Sequence, residues 1–519
     1  MRLRYLFVPV VLAAAALAGL PACNKNYLDK NPLSTIPSGS FWKTQSQADL
    51  ALAGIYNFLV IGNNATSVSN AGAGWGGGYM FWEAISDNAY TQSSGGSFGN
   101  ISTGVIEATT GGMQSQAYTV SYQAIAACNR LLANIGTVPI DSATMNQYRG
   151  EAKFFRAYYY FLLTQLYGDC VLTLQPLSND NASAVLPRVS KAIVVDTILS
   201  DLAFAAAHLP NTSYNGHVVR GTALGYMAKV QLAIGAWQQA AATTQTIVGE
   251  HRFGLYAGGY RNLFFKAGQN GNPEIMFSAN YLPPNLYSPS DWLYSYLNSI
   301  QVLQPLVNDY ECTDGLPITS SPLYNAAKPY ANRDPRLAAT ILVPGVLRGT
   351  AANTSFNPAT SSPPVPSGFL PKKGVDSTRF PTTYATQSDQ NWVFLRYAEV
   401  LLMYAEAQNE AVGPDASVHA AVDSVRQRVG MPALPSGLSQ ADMRSRIQHE
   451  RRIELAMEGQ RFFDLKRWRL DRVLIPQVKD PTNALRTFPL RDTLWPVPQS
   501  EVDIAKGYNN TGFYQTPGW

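Results

Sequence analysis

The stretch MNQYRGEAKFFRAYYYFLLTQLYGD (145–169) limits the possible folds more than any other part of the chain. Phe154, Tyr158 and Phe161 form one apolar stripe at helical spacing, and Phe155, Tyr159, Leu162 and Leu166 form a second beside it. A helix that is apolar over most of its circumference must be covered on several sides, so the chain has to build a multi-helix body around it. Gly168 is placed to stop that helix.

Other segments supply the cover. KAIVVDTILSDLAFAAAHLP (191–210) reads as an Ala-rich helix ending at Pro210. RGTALGYMAKVQLAIGAWQQAAATTQTIVGE (220–250) reads as helix, turn at Gly235, helix, with Ala223, Ala228, Ala236 and Ala240 allowing close approach. A second such pair is RYAEVLLMYAEAQNE (396–410), a Gly413-Pro414 break, and ASVHAAVDSVRQRVG (416–430). Hairpins with this large/small alternation resemble tetratricopeptide repeats, although the pairs are not contiguous. Residues 252–392 lie between them, rich in Pro, Gly, Ser, Asn and Tyr, and TAANTSFNPATSSPPVPSG (350–368) is loop. The predicted class is mainly α, a helix-pair scaffold carrying a long irregular region, and loops this long on a helical frame are usually functional or mobile.

The front of the chain reads as an address. Arg2 and Arg4 precede an almost uncharged run from Tyr5 to Ala22, and Leu20-Pro21-Ala22-Cys23 resembles a lipobox. The predicted order is a lipoprotein signal peptide (1–22), an extended tether (23–45) and one globular unit (46–519) with parts 46–250 and 251–519. A retained membrane helix is the alternative, and the run is borderline short for one. Acylation at Cys23 explains the cysteine at that border, because each buried acyl methylene contributes about 0.8 kcal/mol. The remaining cysteines, Cys128, Cys170 and Cys312, permit at most one internal disulfide, and no C-x-x-C pair suggests a zinc ribbon.

Only 14% of residues are charged, with 39 Lys and Arg against 35 Asp and Glu. Nucleic acid, which needs clustered basic residues, is a poor fit; an uncharged polar ligand is a better one. Gly72, Gly74 and Gly77 satisfy G-x-G-x-x-G, but no strand precedes them and Trp75 sits inside, so a dinucleotide site is not expected. HERRIELAMEGQRFFDLKRW (449–468) starts like a zinc-protease helix, yet its fifth position is Ile453, so no metal is expected. It reads as one scaffold helix on which Glu458, Arg461, Asp464 and Arg467 alternate in sign at i+3 spacing.

In order along the chain, YLDKNP (27–32), ALAGIYN (51–57), CNRLL (128–132), EAKFFRAYYYFLLTQLYGDCVL (151–172), NPEIMFS (272–278), NDYECTDGLPI (308–318), RDPRL (333–337), ERRIELAMEGQRFFDLKRW (450–468), LWPVPQSEVD (494–503) and QTPGW (515–519) resemble the SusD/RagB-like outer-membrane lipoproteins of Bacteroidetes. Each motif is weak alone; together they are specific. The resemblance implies a tetratricopeptide-type frame with a loop-rich ligand face. It also implies a surface-facing lipid anchor in the outer membrane, and a SusC-like TonB-dependent barrel over which the protein acts as a lid delivering oligosaccharide, or in some branches peptide.

A neutral glycan needs flat rings to stack on and amide or carboxylate groups for its hydroxyls. Two aromatic stretches fit. In 72–100, Trp75 is flanked by glycines, Phe81 and Trp82 read as core, and Tyr90 and Phe98 are open to either role. In NYLPPNLYSPSDWLYSYLN (280–298), Tyr287, Trp292, Tyr294 and Tyr296 are the principal ligand candidates, unless Trp292 and Tyr296, four apart, form a core stripe on a short helix. No cofactor is implied. Catalysis would need paired carboxylates, and Asp87, Asp291, Asp309, Glu311 and Asp314 in the loops read instead as caps and turn bonds. A scaffold that binds only protein is the remaining rival.

Overall fold

A computed structural model describes residues 41–60, 79–91, 98–177, 186–349, 354–383, 385–481 and 485–519. The signal segment, Cys23, most of the tether and Trp75 lie outside these residues.

The frame is helical. Thr44 opens α1 (Gln45–Asn57) with a capping box, its side chain accepting from Gln47 N while the Gln47 side chain reaches back. After α2 (Met113–Asn134) comes α3 (Ser142–Tyr167), the doubly striped segment. Asp141 caps its start by accepting from Ala143 N and Thr144 N, and Gly168 ends it at φ 75°. Both stripes are covered as expected: Phe154, Phe155, Tyr159 and Leu166 are buried, and Tyr158, Phe161 and Leu162 partly so. Next are α4 (Lys191–His208), α5 (Arg220–Ala233) and α6 (Trp237–Gly249), with Gly235 turning the last pair at φ 72°. The second pair is α7 (Tyr397–Ala411) and α8 (Ala416–Gln427), followed by α9 (Gln440–Glu454) and α10 (Arg461–Arg467).

Each helix from α2 to α6 packs on its chain neighbours, and α6 then packs on α7, which packs on α8 and α9. The two hairpins that the sequence keeps far apart are therefore consecutive in space. A two-stranded ladder of β2 (Ile275–Ala279) and β4 (Trp392–Arg396) brackets the inserted segment, returning the chain to the start of α7. Among the described residues no helix is long and apolar enough to cross a membrane.

The tail differs from its one-helix reading. Glu454 ends α9, and residues 455–460 turn before α10, with Met457 and Gly459 at φ 65° and 77°. The turn is held because Gly459 N donates to Glu83 Oε1 at 2.9 Å, and a Cβ on Gly459 would sit 3.0 Å from Tyr79 O. Of the alternating charges, only Asp464 and Arg467 pair along the helix, at 2.8 Å. Arg461 instead makes two 2.8 Å bonds to Asp87, and Glu458 meets Arg396 and Lys373, each at 2.8 Å.

These contacts join a buried ionic chain that fastens the irregular segment to the frame. Glu311 accepts from Arg426 (2.9 Å), and Arg426 also donates to Glu450 (2.9 Å). Glu450 shares Arg336 with Asp334 and Glu454. Glu454 takes Arg396 (2.5 Å) and Arg428, and both arginines also reach Glu274 at 2.8 Å. All of these side chains are buried or nearly so.

Candidate functional site

The aromatic segment 280–298 begins where β2 ends. Leu282 and Leu286 close a small hairpin, Ser288 bridges to Ser388, and a π-helical turn spans Trp292–Tyr296. Asp291 fixes the start of that turn. Its carboxylate accepts from Asp376 N (2.8 Å), Ser388 Oγ (2.7 Å) and Gln390 Nε2 (3.1 Å), and burial raises its pKa. Asn298, at φ 49°, then reverses the chain into β3 (Ile300–Val302), and Arg348 clamps the reversal by donating to Ser295 O and Asn298 Oδ1. β3 pairs antiparallel with β1 (Ala89–Thr91), placing Tyr90 opposite Gln301.

This scaffolding sorts the expected ligand rings. Trp292 (2% exposed), Tyr294 (1%) and Tyr287 (9%) are in the interior, with Tyr294 lining a cavity of about 230 Å³. The expectation that they line the surface is corrected here: the irregular segment is long enough to fold over its own core, and its largest rings fill it. Tyr296, at 36%, is the exposed ring of the group, which also removes the core-stripe reading of Trp292 with Tyr296. Tyr90 is half-buried between fully buried Ala89 and Thr91, following strand alternation. Burial, then the nearby Asp480 carboxylate, raises the Tyr90 pKa, so its hydroxyl stays a neutral donor. Phe98, Phe81 and Trp82 are core. Trp75 lies outside the described residues.

The loop carboxylates are structural. Asp87 is held by Arg461 and Arg452, which bring its pKa down to about 2 against the opposing effect of burial. Asp309 accepts from Arg452, Glu311 from Arg426 and Arg446, and Asp314 from Leu316 N and Ser321 Oγ. His449 sits 2.8 Å from Asp309 O. Among the described residues no cluster of His, Cys, Asp and Glu could hold a metal ion. Cys128, Cys170 and Cys312 are buried and unpaired with one another.

The structure adds a groove that the sequence did not signal. About 480 Å³ in volume, it lies between α1 and the start of the 280–298 segment, with Asp49, Tyr56, Asn57, His217 and Asn280 on its walls. Behind it the buried Glu151 accepts from Tyr56 Oη (2.5 Å), and His217 Nδ1 lies 3.0 Å from the same oxygen. The Glu151 contact raises the His217 pKa against burial, while the outer part of that ring stays exposed. The groove thus presents an oriented imidazole, two amides and a carboxylate beside a phenol ring, a set suited to hydrogen-bonding hydroxyl groups. Its members come from three segments distant in sequence, so no local spacing could have found them.

Comparison with known proteins fits this architecture. Residues 263–519 match the model of the SusD family, and residues 26–232 match a model described as starch-binding associating with outer membrane. SusD-like protein P2 of Formosa agariphila is 25% identical, over 92% of this chain and 94% of its own. A SusD-like carbohydrate-binding protein of Bacteroides fragilis superposes with TM-score 0.79 at 25% identity, covering 89% of this chain and 99% of its own. A second SusD-like protein of that species gives TM-score 0.77 at 26% identity, covering 94% and 100%. On these matches, which together span nearly the whole length, the chain belongs to the SusD/RagB-like family.

Proposed function

We propose that this protein is an outer-membrane lipoprotein, acylated at Cys23 and facing outward, that binds oligosaccharide nutrients. In this reading it delivers them, as a lid, to a SusC-like TonB-dependent transporter, and it catalyses nothing. The observation that carries the reading is the family match in both halves, one of them to a model described as starch-binding and associating with the outer membrane. The carbohydrate-binding relative from Bacteroides fragilis supports the ligand class.

The ligand contacts in this proposal come from Tyr296, Tyr90 and the groove of Tyr56, His217 and Asn280, while the remaining candidate, Trp75, lies outside the described residues. Exposed rings would stack against C–H faces of sugars, at about 0.5–1 kcal/mol per contact, and the amides would take hydroxyls. Several such contacts give micromolar to millimolar affinity, on the order of 4–8 kcal/mol in all. Affinity electrophoresis against a panel of neutral glycans tests the function: retarded migration in at least one gel supports it, and free migration in all of them refutes it. Mass spectrometry of the membrane fraction tests the anchor, and co-purification with a barrel protein tests the partner.

A further inference from the structure

A second cleft, of about 130 Å³, opens on the helical frame between α3, α5, β4 and α10. Tyr79 and Trp82 of the 72–100 stretch contribute to its wall, but none of the described candidate ligand rings lines it. Four partly exposed rings wall it: Tyr158 and Phe161 from α3, Trp392 from β4, and Phe463 from α10. Tyr79 stacks near Trp392 at 6.5 Å between centroids, closing one side. Tyr158 packs on Tyr226 at 5.4 Å and Phe463 on Trp82 at 5.0 Å, and the part of each ring left uncovered faces the cleft.

Three properties define what fits. The first is size: an engineered cavity of about 150 Å³ takes one benzene, so a single six-membered ring is the matching unit. The second is charge. The cleft's ions already answer one another, Lys229 with Glu399 at 2.9 Å and Asp464 with Arg467 at 2.8 Å, so a neutral occupant is favoured. The third is polarity. Gln165 lines the cleft, and its side-chain amide, which makes no hydrogen bond to another described residue, is open to an occupant. A hydroxyl, which both donates and accepts, satisfies either end of that amide.

We infer that this cleft is a binding site for one neutral, hydroxylated six-membered ring, either a single sugar unit or a phenol, independent of the proposed glycan face. Rings in this arrangement grip a flat or C–H-rich face, while Gln165 selects for the hydroxyl.

The test uses the mature protein with methyl β-glucopyranoside, p-cresol and toluene as separate probes, read by saturation-transfer NMR titration. Saturable binding of the glucoside or p-cresol is expected at roughly millimolar Kd. Which of the two binds identifies the source chemistry, and either one supports the site. Ala233 lies at the cleft wall, so Ala233→Phe should weaken that binding at least about tenfold by filling it. Gln165→Met, which keeps the side chain's length, should weaken it about fivefold through the lost hydrogen bonds. Tyr296→Ala should leave it unchanged, which separates this site from the glycan face. Absence of saturation by both hydroxylated probes overturns the inference, as does equal affinity for toluene and p-cresol. Binding that survives both Ala233→Phe and Gln165→Met also overturns it.

Discussion

Glu454→Gln puts the ionic chain to its severest test. Glu454 is fully buried and is shared by Arg336 (2.9 Å), Arg396 (2.5 Å) and Arg428, whose charges hold its pKa well below the carboxylate range despite burial. Glutamine keeps the shape but removes the anion, leaving three guanidinium groups around a neutral amide. Removing one partner of a buried, hydrogen-bonded charge set costs about 3–5 kcal/mol. With an unfolding entropy of about 2.1 cal/mol/K per residue, a body of roughly 480 residues gains on the order of 1 kcal/mol/K, so Tm should fall by about 3–5 °C. Differential scanning calorimetry at neutral pH reads this directly. The sign with pH follows from the depressed pKa. The stabilisation is present above the unfolded value, about 4.3, and is lost as pH falls through the folded one, so the gap between wild type and variant should close in acid. A Tm loss under about 1 °C at neutral pH, or a gap that does not narrow in acid, would refute the view that this carboxylate ties the irregular segment to the frame.

Further outcomes are expected elsewhere. Tyr296→Ala should weaken glycan retention on affinity gels and leave Tm unchanged, because the ring is exposed. Burial raises the Glu83 pKa to about 6, so its contribution is present below about 4.5 and lost as pH rises through about 6. Glu83→Gln should abolish that dependence, about 2 kcal/mol at 1.36 kcal/mol per unit, in denaturant titrations across the same range. Gly168→Ala should cost about 1–3 kcal/mol in such titrations, since φ 75° with ψ −113° is a conformation that only glycine adopts readily and the new Cβ would sit 2.9 Å from Leu494 Cδ1. Thiol reagents should label Cys128, Cys170 and Cys312 only after unfolding, given burial that lifts the Cys170 pKa to about 12.

The helices were readable because their signals are local: periodic stripes in 145–167, alanines in 220–250, and Gly168 and Gly235 as stops. The stacking of α6 on α7 was not, since nothing in either helix names a partner so distant in sequence. The break at 455–460 was hidden because its purpose is tertiary; Glu458 and Gly459 are placed by Arg396, Lys373 and Glu83, all remote in sequence. The rings of 280–298 misled for a related reason. An aromatic loop reads as exposed when its own length is ignored, yet Trp292 and Tyr294 are what that segment folds around. The groove at Tyr56, His217 and Asn280 exists only once three segments meet.

Where the guanidinium and carboxylate groups end up also shapes how the molecule meets its surroundings. Because so many of them cancel one another far from water, a body of small net charge casts little long-range field. Encounters should then proceed at ordinary diffusive rates in dilute or briny media alike, and copies crowded on one membrane would scarcely repel their neighbours.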